Sequence, residues 1–204
     1  MSPDIPTSPT SASLERRARL LAWATVAWNV TEAVVAIVAG AIASSIALVG
    51  FGLDSTVEVL SALVILWQFH GSATQREERA RRLIAVGFFA LAGYVAVQAV
   101  TDLVGLHEPD SSPVGIALAT ASLLVMPVLA VAKRETGRLL HSDAVVADGN
   151  QTKLCAYLSA ILLSGLLLNA ALHWSWADPV AALTIAGLAL TEGLEAWRGD
   201  LCCD

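Results

Sequence analysis

Ser45-Ile46-Ala47-Leu48-Val49-Gly50-Phe51-Gly52-Leu53-Asp54-Ser55-Thr56-Val57-Glu58 opens a long apolar run that continues to Phe69. No charge occurs before Asp54, and a second carboxylate follows four residues later. A helix crosses the hydrocarbon of a bilayer in roughly 20 mostly apolar residues, and this run is long enough. Ionisable groups in hydrocarbon are costly, so acids in such a run are functional candidates by default. A spacing of four puts both side chains on one helix face, one turn apart. Two carboxylates held that closely in a dry place repel each other unless a cation or protons intervene.

Working outward from this stretch, five more segments have the length and character of spans. The set is 18–40, 44–69, 83–105, 113–133, 143–172 and 178–197. Of the chain's 204 residues, 56% are hydrophobic and 15% charged. Soluble domains carry about a quarter charged residues, so this chain lacks the polar surface to cover a water-soluble globule. The reading is an all-α polytopic membrane protein: a six-helix transmembrane domain over 16–198, a disordered polar tail over 1–15 and a short tail over 199–204. Arg16, Arg17 and Arg19 before the first apolar run imitate a signal peptide. That run is too long for one and carries Asn29 and Glu32, so it reads as a retained helix.

Basic residues fix the expected orientation. Arg16, Arg17 and Arg19 precede helix 1; Arg76, Arg79, Arg81 and Arg82 lie between helices 2 and 3; Lys133, Arg134 and Arg138 lie between helices 4 and 5; Arg198 follows helix 6. The alternate connections carry none. The positive-inside rule then places both termini in the cytoplasm, with the inner (cell) membrane as the location. Trp174 and Trp176 fit an outer interfacial belt. No basic patch suggests nucleic acid, and no nucleophile motif or second cluster of His and acids suggests an enzyme.

Inside the apolar segments stand Glu32, Asp54, Glu58, Asp102 and Lys153, with Gln151 and Cys155 as uncharged polar companions. Gln151 and Cys155 are also four apart on one face. At about 1.5 Å of rise per residue, Glu58 lies ~16 Å from Phe69 and Cys155 ~18 Å from Asp143, so the two pairs can share one layer near the bilayer middle. Two carboxylates, an amide oxygen and a thiolate form a plausible ligand set for a transition metal. Blander readings stand beside it. Asp54 and Glu58 can form a polar clamp, Cys155 a small buried hydrophobe, and Gln151 an interhelical hydrogen-bond group. Lys153, two residues from both Gln151 and Cys155, points to the other side of its helix and is expected to pair with Glu32 or Asp102. Asn29, Gln98 and Asn169 read as packing groups. Cys202 and Cys203 form a weak soft-metal signal.

At these residues the chain resembles the cation diffusion facilitator family. The stretch Ser45–Glu58 looks like that family's second-helix motif, where His or Asp precedes Asp by four residues. Ser142-Asp143-Ala144-Val145-Val146-Ala147-Asp148 resembles the lead-in to the fifth helix, whose ligand pair falls on Gln151 and Cys155. Trp176-Ala177-Asp178-Pro179-Val180-Ala181-Ala182-Leu183 looks like the opening of the sixth. The resemblance covers most of 16–198. It implies a six-helix bundle of the cation-efflux type, exporting divalent metal ions in exchange for protons. The departures are Glu58 for Asp, Gln151 and Cys155 for the usual ligands, and no counterpart of the family's cytoplasmic C-terminal domain.

The expected function is therefore efflux of Zn, Co or Cd by proton antiport. Asp54, Glu58, Gln151 and Cys155 are the candidate ligands, the metal is cargo, and no resident cofactor is expected. A homodimer, if one forms, rests on transmembrane helices. The alternative is a non-transporting metal sensor or partner subunit in the membrane.

Overall fold

The computed structural model describes residues 9–68, 73–105, 108–141 and 143–198. Six α-helices fill them: α1 (Pro9–Ala43), α2 (Ile46–Gln68), α3 (Ala73–Gly105), α4 (Pro113–Leu140), α5 (Asp143–Leu172) and α6 (Ala177–Arg198). No strand occurs among the described residues. All but α2 are long and apolar enough over their described residues to cross a membrane. The chain is a multi-pass helical membrane protein.

Three helices run past the expected span ends. Residues 9–15, expected in a disordered tail, are the first turns of α1, and α3 starts ten residues before the expected 83. α4 continues seven residues past Lys133 to Leu140. The reason is cooperativity: once nucleated, a helix adds residues cheaply, and Glu, Arg and Lys are good helix formers. Hydropathy locates where a helix leaves the lipid, whereas capping locates where it stops. At the end of α4, His141 adopts a left-handed conformation (φ 50°) and its amide bonds back to Arg138 O at 3.2 Å. Residues 1–8 and 199–204, with Cys202 and Cys203, lie outside the described residues.

The second half of α1 exposes an apolar stripe and buries polar groups among small alanines. Val30, Val34, Val38 and Ile42 recur every four residues and are exposed, while Asn29, Glu32, Ala33 and Ala36 are buried. Lipid is the solvent that makes such an outer stripe favourable, and the buried polar groups must then find partners inside the bundle.

α4 packs most extensively along α5, α3 along α6, and α1 along α2. The α1–α2 pair approaches closely enough to need glycine. A Cβ on Gly52 would lie 2.8 Å from Ile37 Cγ1 and 2.9 Å from its backbone nitrogen. Phe51, Val95, Leu162 and Ile185 bring α2, α3, α5 and α6 into one core. The helix N-termini are tied by side chains. Ser112 caps α4 by accepting from Gly115 N at 3.1 Å, with Pro113 at the first helical position. Buried Asp178, at the start of α6, accepts from Ser45 Oγ and from Ala47 N at 3.2 Å, which locks α6 to the start of α2. At this same end Asn169 Nδ2 donates to Pro109 O at 2.8 Å. Trp174 and Trp176 stack with ring centroids 5.2 Å apart.

Candidate metal centre

Asp54 and Glu58 project from one face of α2 toward α5. One ligand atom each from Asp54, Glu58 and Cys155 lie within 4.8 Å of one another. The Cys155 thiol points at Glu58 Oε1 across 2.7 Å. Asp54 is 5% exposed and Cys155 2%, while Glu58 between them is half-buried. Gln151, one turn before Cys155, lines the same small cavity as Asp54 and Glu58. Beside them is a small cavity of about 20 Å³, lined by Asp54, Glu58, Gln151, Leu158, Leu188 and Glu192. A space of that size holds about one water-sized occupant. It has room for a stripped ion and none for one with its full hydration shell.

All four candidate residues from the spacing argument thus meet at one layer, three as a tight cluster and Gln151 at its edge. The sequence reading passed over two neighbours. Asn29, taken as a packing group, donates from Nδ2 to Glu58 Oε2 at 2.6 Å, and its buried Oδ1 has no donor among the described residues. Its position three residues before Glu32, on the same face of helix 1, was the available signal. Glu192 sits on α6 at the cavity wall. Glu192 lies within the expected span 178–197 but was not among the singled-out acids.

The expected pairing of Lys153 is corrected. Its side chain is exposed, and Nζ lies 5.5 Å from the centroid of the Tyr157 ring, in the range of a cation–π contact. A long aliphatic stem lets an ammonium leave the hydrocarbon, so it needs no buried acid. Asp102 instead lines a second cavity, about 190 Å³, with Ser44, Ser45 and Gln98. The buried lysine is Lys133, read from sequence as a loop residue. Its Nζ lies 2.8 Å from Asp148 Oδ2 and donates to Thr152 Oγ1 at 3.1 Å. The third acid of the layer, Glu32, is held by Ser55 Oγ at 3.0 Å and by Ser122 Oγ.

Chemically, the cluster concentrates two carboxylates and a thiol in a largely buried layer between helices. Carboxylate and thiolate together suit a divalent transition metal better than Mg, which demands six oxygens. Metal binding requires the ligands deprotonated, so metal and protons compete for the same atoms.

No family model matches the chain. It is 27% identical over 169 residues to the protein named Uncharacterized transporter sll1263 of Synechocystis sp., covering 78% of this chain and 54% of that one. It is 25% identical over 138 residues to Transmembrane protein 163 of Xenopus laevis, covering 66% of this chain and 49% of that one. The chain spans about half the length of these curated relatives.

Proposed function

We propose that this chain is a secondary transporter of the cation diffusion facilitator type that exports Zn, Co or Cd across the cell membrane in exchange for protons. Six spans, α2 included, cross the bilayer with both termini in the cytoplasm, as the basic loops require. Asp54, Glu58 and Cys155 bind the ion as anions, and Gln151 supplies a neutral oxygen. Asn29 Oδ1 adds a further neutral acceptor at this layer.

The observation that carries the reading is the convergence of the Asp54, Glu58 and Cys155 ligand atoms within 4.8 Å, between two helices, with Asp54 and Cys155 buried. Two acids and a thiol stay together in a largely buried layer only if a cation or protons neutralise them. Either occupant meets the need, and exchange of one for the other is antiport. The relative from Synechocystis, whose name includes "transporter", is in keeping with this reading.

The test is flux in proteoliposomes across a metal panel, with a pH gradient imposed. Uptake of Zn, Co or Cd that is accelerated by the gradient, without Mg uptake, is expected. Stoichiometric metal binding without flux would instead make the chain a membrane sensor or partner subunit.

A further inference from the structure

We propose that Glu32 is a proton-binding site separate from the metal ligands, whose occupancy sets the charge beside Asp54 and Glu58; the coupling it provides rests on the transport reading above. Glu32 is 1% exposed. Both of its oxygens are already committed to hydroxyls: Oε2 accepts from Ser55 at 3.0 Å and Oε1 from Ser122. Glu32 is not among the residues whose ligand atoms lie within 4.8 Å of one another.

The surrounding hydrogen bonds suit both protonation states. Trp28 Nε1 can only donate, and it donates to Ser122 Oγ at 3.0 Å. The Ser122 proton is thereby directed at Glu32. Ser55 has a choice: its hydroxyl also lies 3.2 Å from Phe51 O. When Glu32 is ionised, Ser55 donates to Oε2. When a proton binds Oε2, the new O–H donates to Ser55 Oγ, and the Ser55 proton turns to Phe51 O. One hydroxyl rotation accommodates the added proton, and no buried polar atom is stranded in either state.

The charged and titratable groups facing Glu32 are all acids or thiols. From α2 they are Glu58 and, beyond it, Asp54; from α5, Cys155. From α4 its partner is the neutral Ser122, while Lys133 on that helix is engaged by Asp148. No Lys or Arg is among the described groups facing it. Ionised Glu32 therefore adds a negative charge beside the site and favours a cation there, and a bound proton removes that charge. The link is reciprocal: metal binding must favour release of the Glu32 proton.

Titration calorimetry of Zn binding to the detergent-purified full chain, in buffers of differing ionisation heat, counts the protons released. Glu32→Gln should still bind Zn, weakened by no more than about tenfold, and should release one proton fewer than the wild type. An unchanged proton count in folded Glu32→Gln overturns the proposal. Loss of Zn binding also overturns it, by making Glu32 a ligand. Should Glu32→Gln fail to fold, Ser122→Ala decides. It removes a donor to the ionised form, so the pH midpoint of proton release should move upward, and an unmoved midpoint contradicts the proposal. The measurement needs no flux: a wild type that binds Zn without carrying it would sink the transport reading while leaving the Glu32 site tested on its own.

Discussion

Lys133 Nζ lies 2.8 Å from Asp148 Oδ2, yet the two side chains differ sharply in exposure, 2% against 48%. The cation is buried and its partner reaches solvent. Losing the buried member leaves a carboxylate that water can hold, whereas losing the exposed member strands a charge.

The two halves of this pair should therefore respond differently. Asp148→Ala should destabilise by about 2–3 kcal/mol, and Lys133→Met by less than about 1 kcal/mol. Thermal melts in detergent give the comparison. Equal losses would mean that the packing of Lys133 matters more than its charge.

Gly52 sets the α1–α2 approach. A Cβ there meets Ile37 side chain and backbone below 3 Å, and the backbone cannot rotate away. Gly52→Ala should cost about 1–3 kcal/mol by overpacking. Gly93, where a Cβ meets nothing within 4 Å, is the control. Gly93→Ala should melt at the wild-type temperature or above, since Ala is the better helix former.

Much of this was legible in the chain. The four-residue spacings Asp54/Glu58 and Gln151/Cys155 identify helix faces, and helical rise places them at one depth. What sequence could not give was the partner of each polar group. Lys153 and Lys133 both lie near apolar runs, but only the angular position of each on a packed helix decides which one snorkels and which one is buried. Lys133-Arg134-Glu135 reads as a loop because charge ends a hydropathy window, whereas the helix continues for further turns. Asn29 is unremarkable as a residue type, and only the crossing of α1 over α2 brings it to Glu58.

Topology has a direct readout. With the native cysteines replaced by serine, a cysteine at exposed Ser111 should label from outside intact cells, and one at exposed Glu135 should be protected. Outside labelling at position 135 would overturn the proposed orientation.

Cys155 should tune the choice of metal. A soft thiolate favours Cd over harder ions, and a carboxylate does not. Cys155→Asp should lower the Cd-to-Zn transport ratio while keeping flux, and Cys155→Ser should weaken both. A ratio unchanged in both variants would make Cys155 a packing residue.

The central claim is that Asp54, Glu58 and Cys155 jointly hold the transported ion. X-ray absorption at the Zn edge, on purified protein loaded with one Zn per chain, reads the ligand shell directly. The expected shell holds one sulfur at about 2.3 Å with the remaining ligands oxygen at about 2.0–2.2 Å. Cys155→Ser should lose the sulfur and keep the oxygens. An all-oxygen or nitrogen shell in the wild type, or a sulfur that persists in Cys155→Ser, would contradict the assignment of this cluster as the transport site.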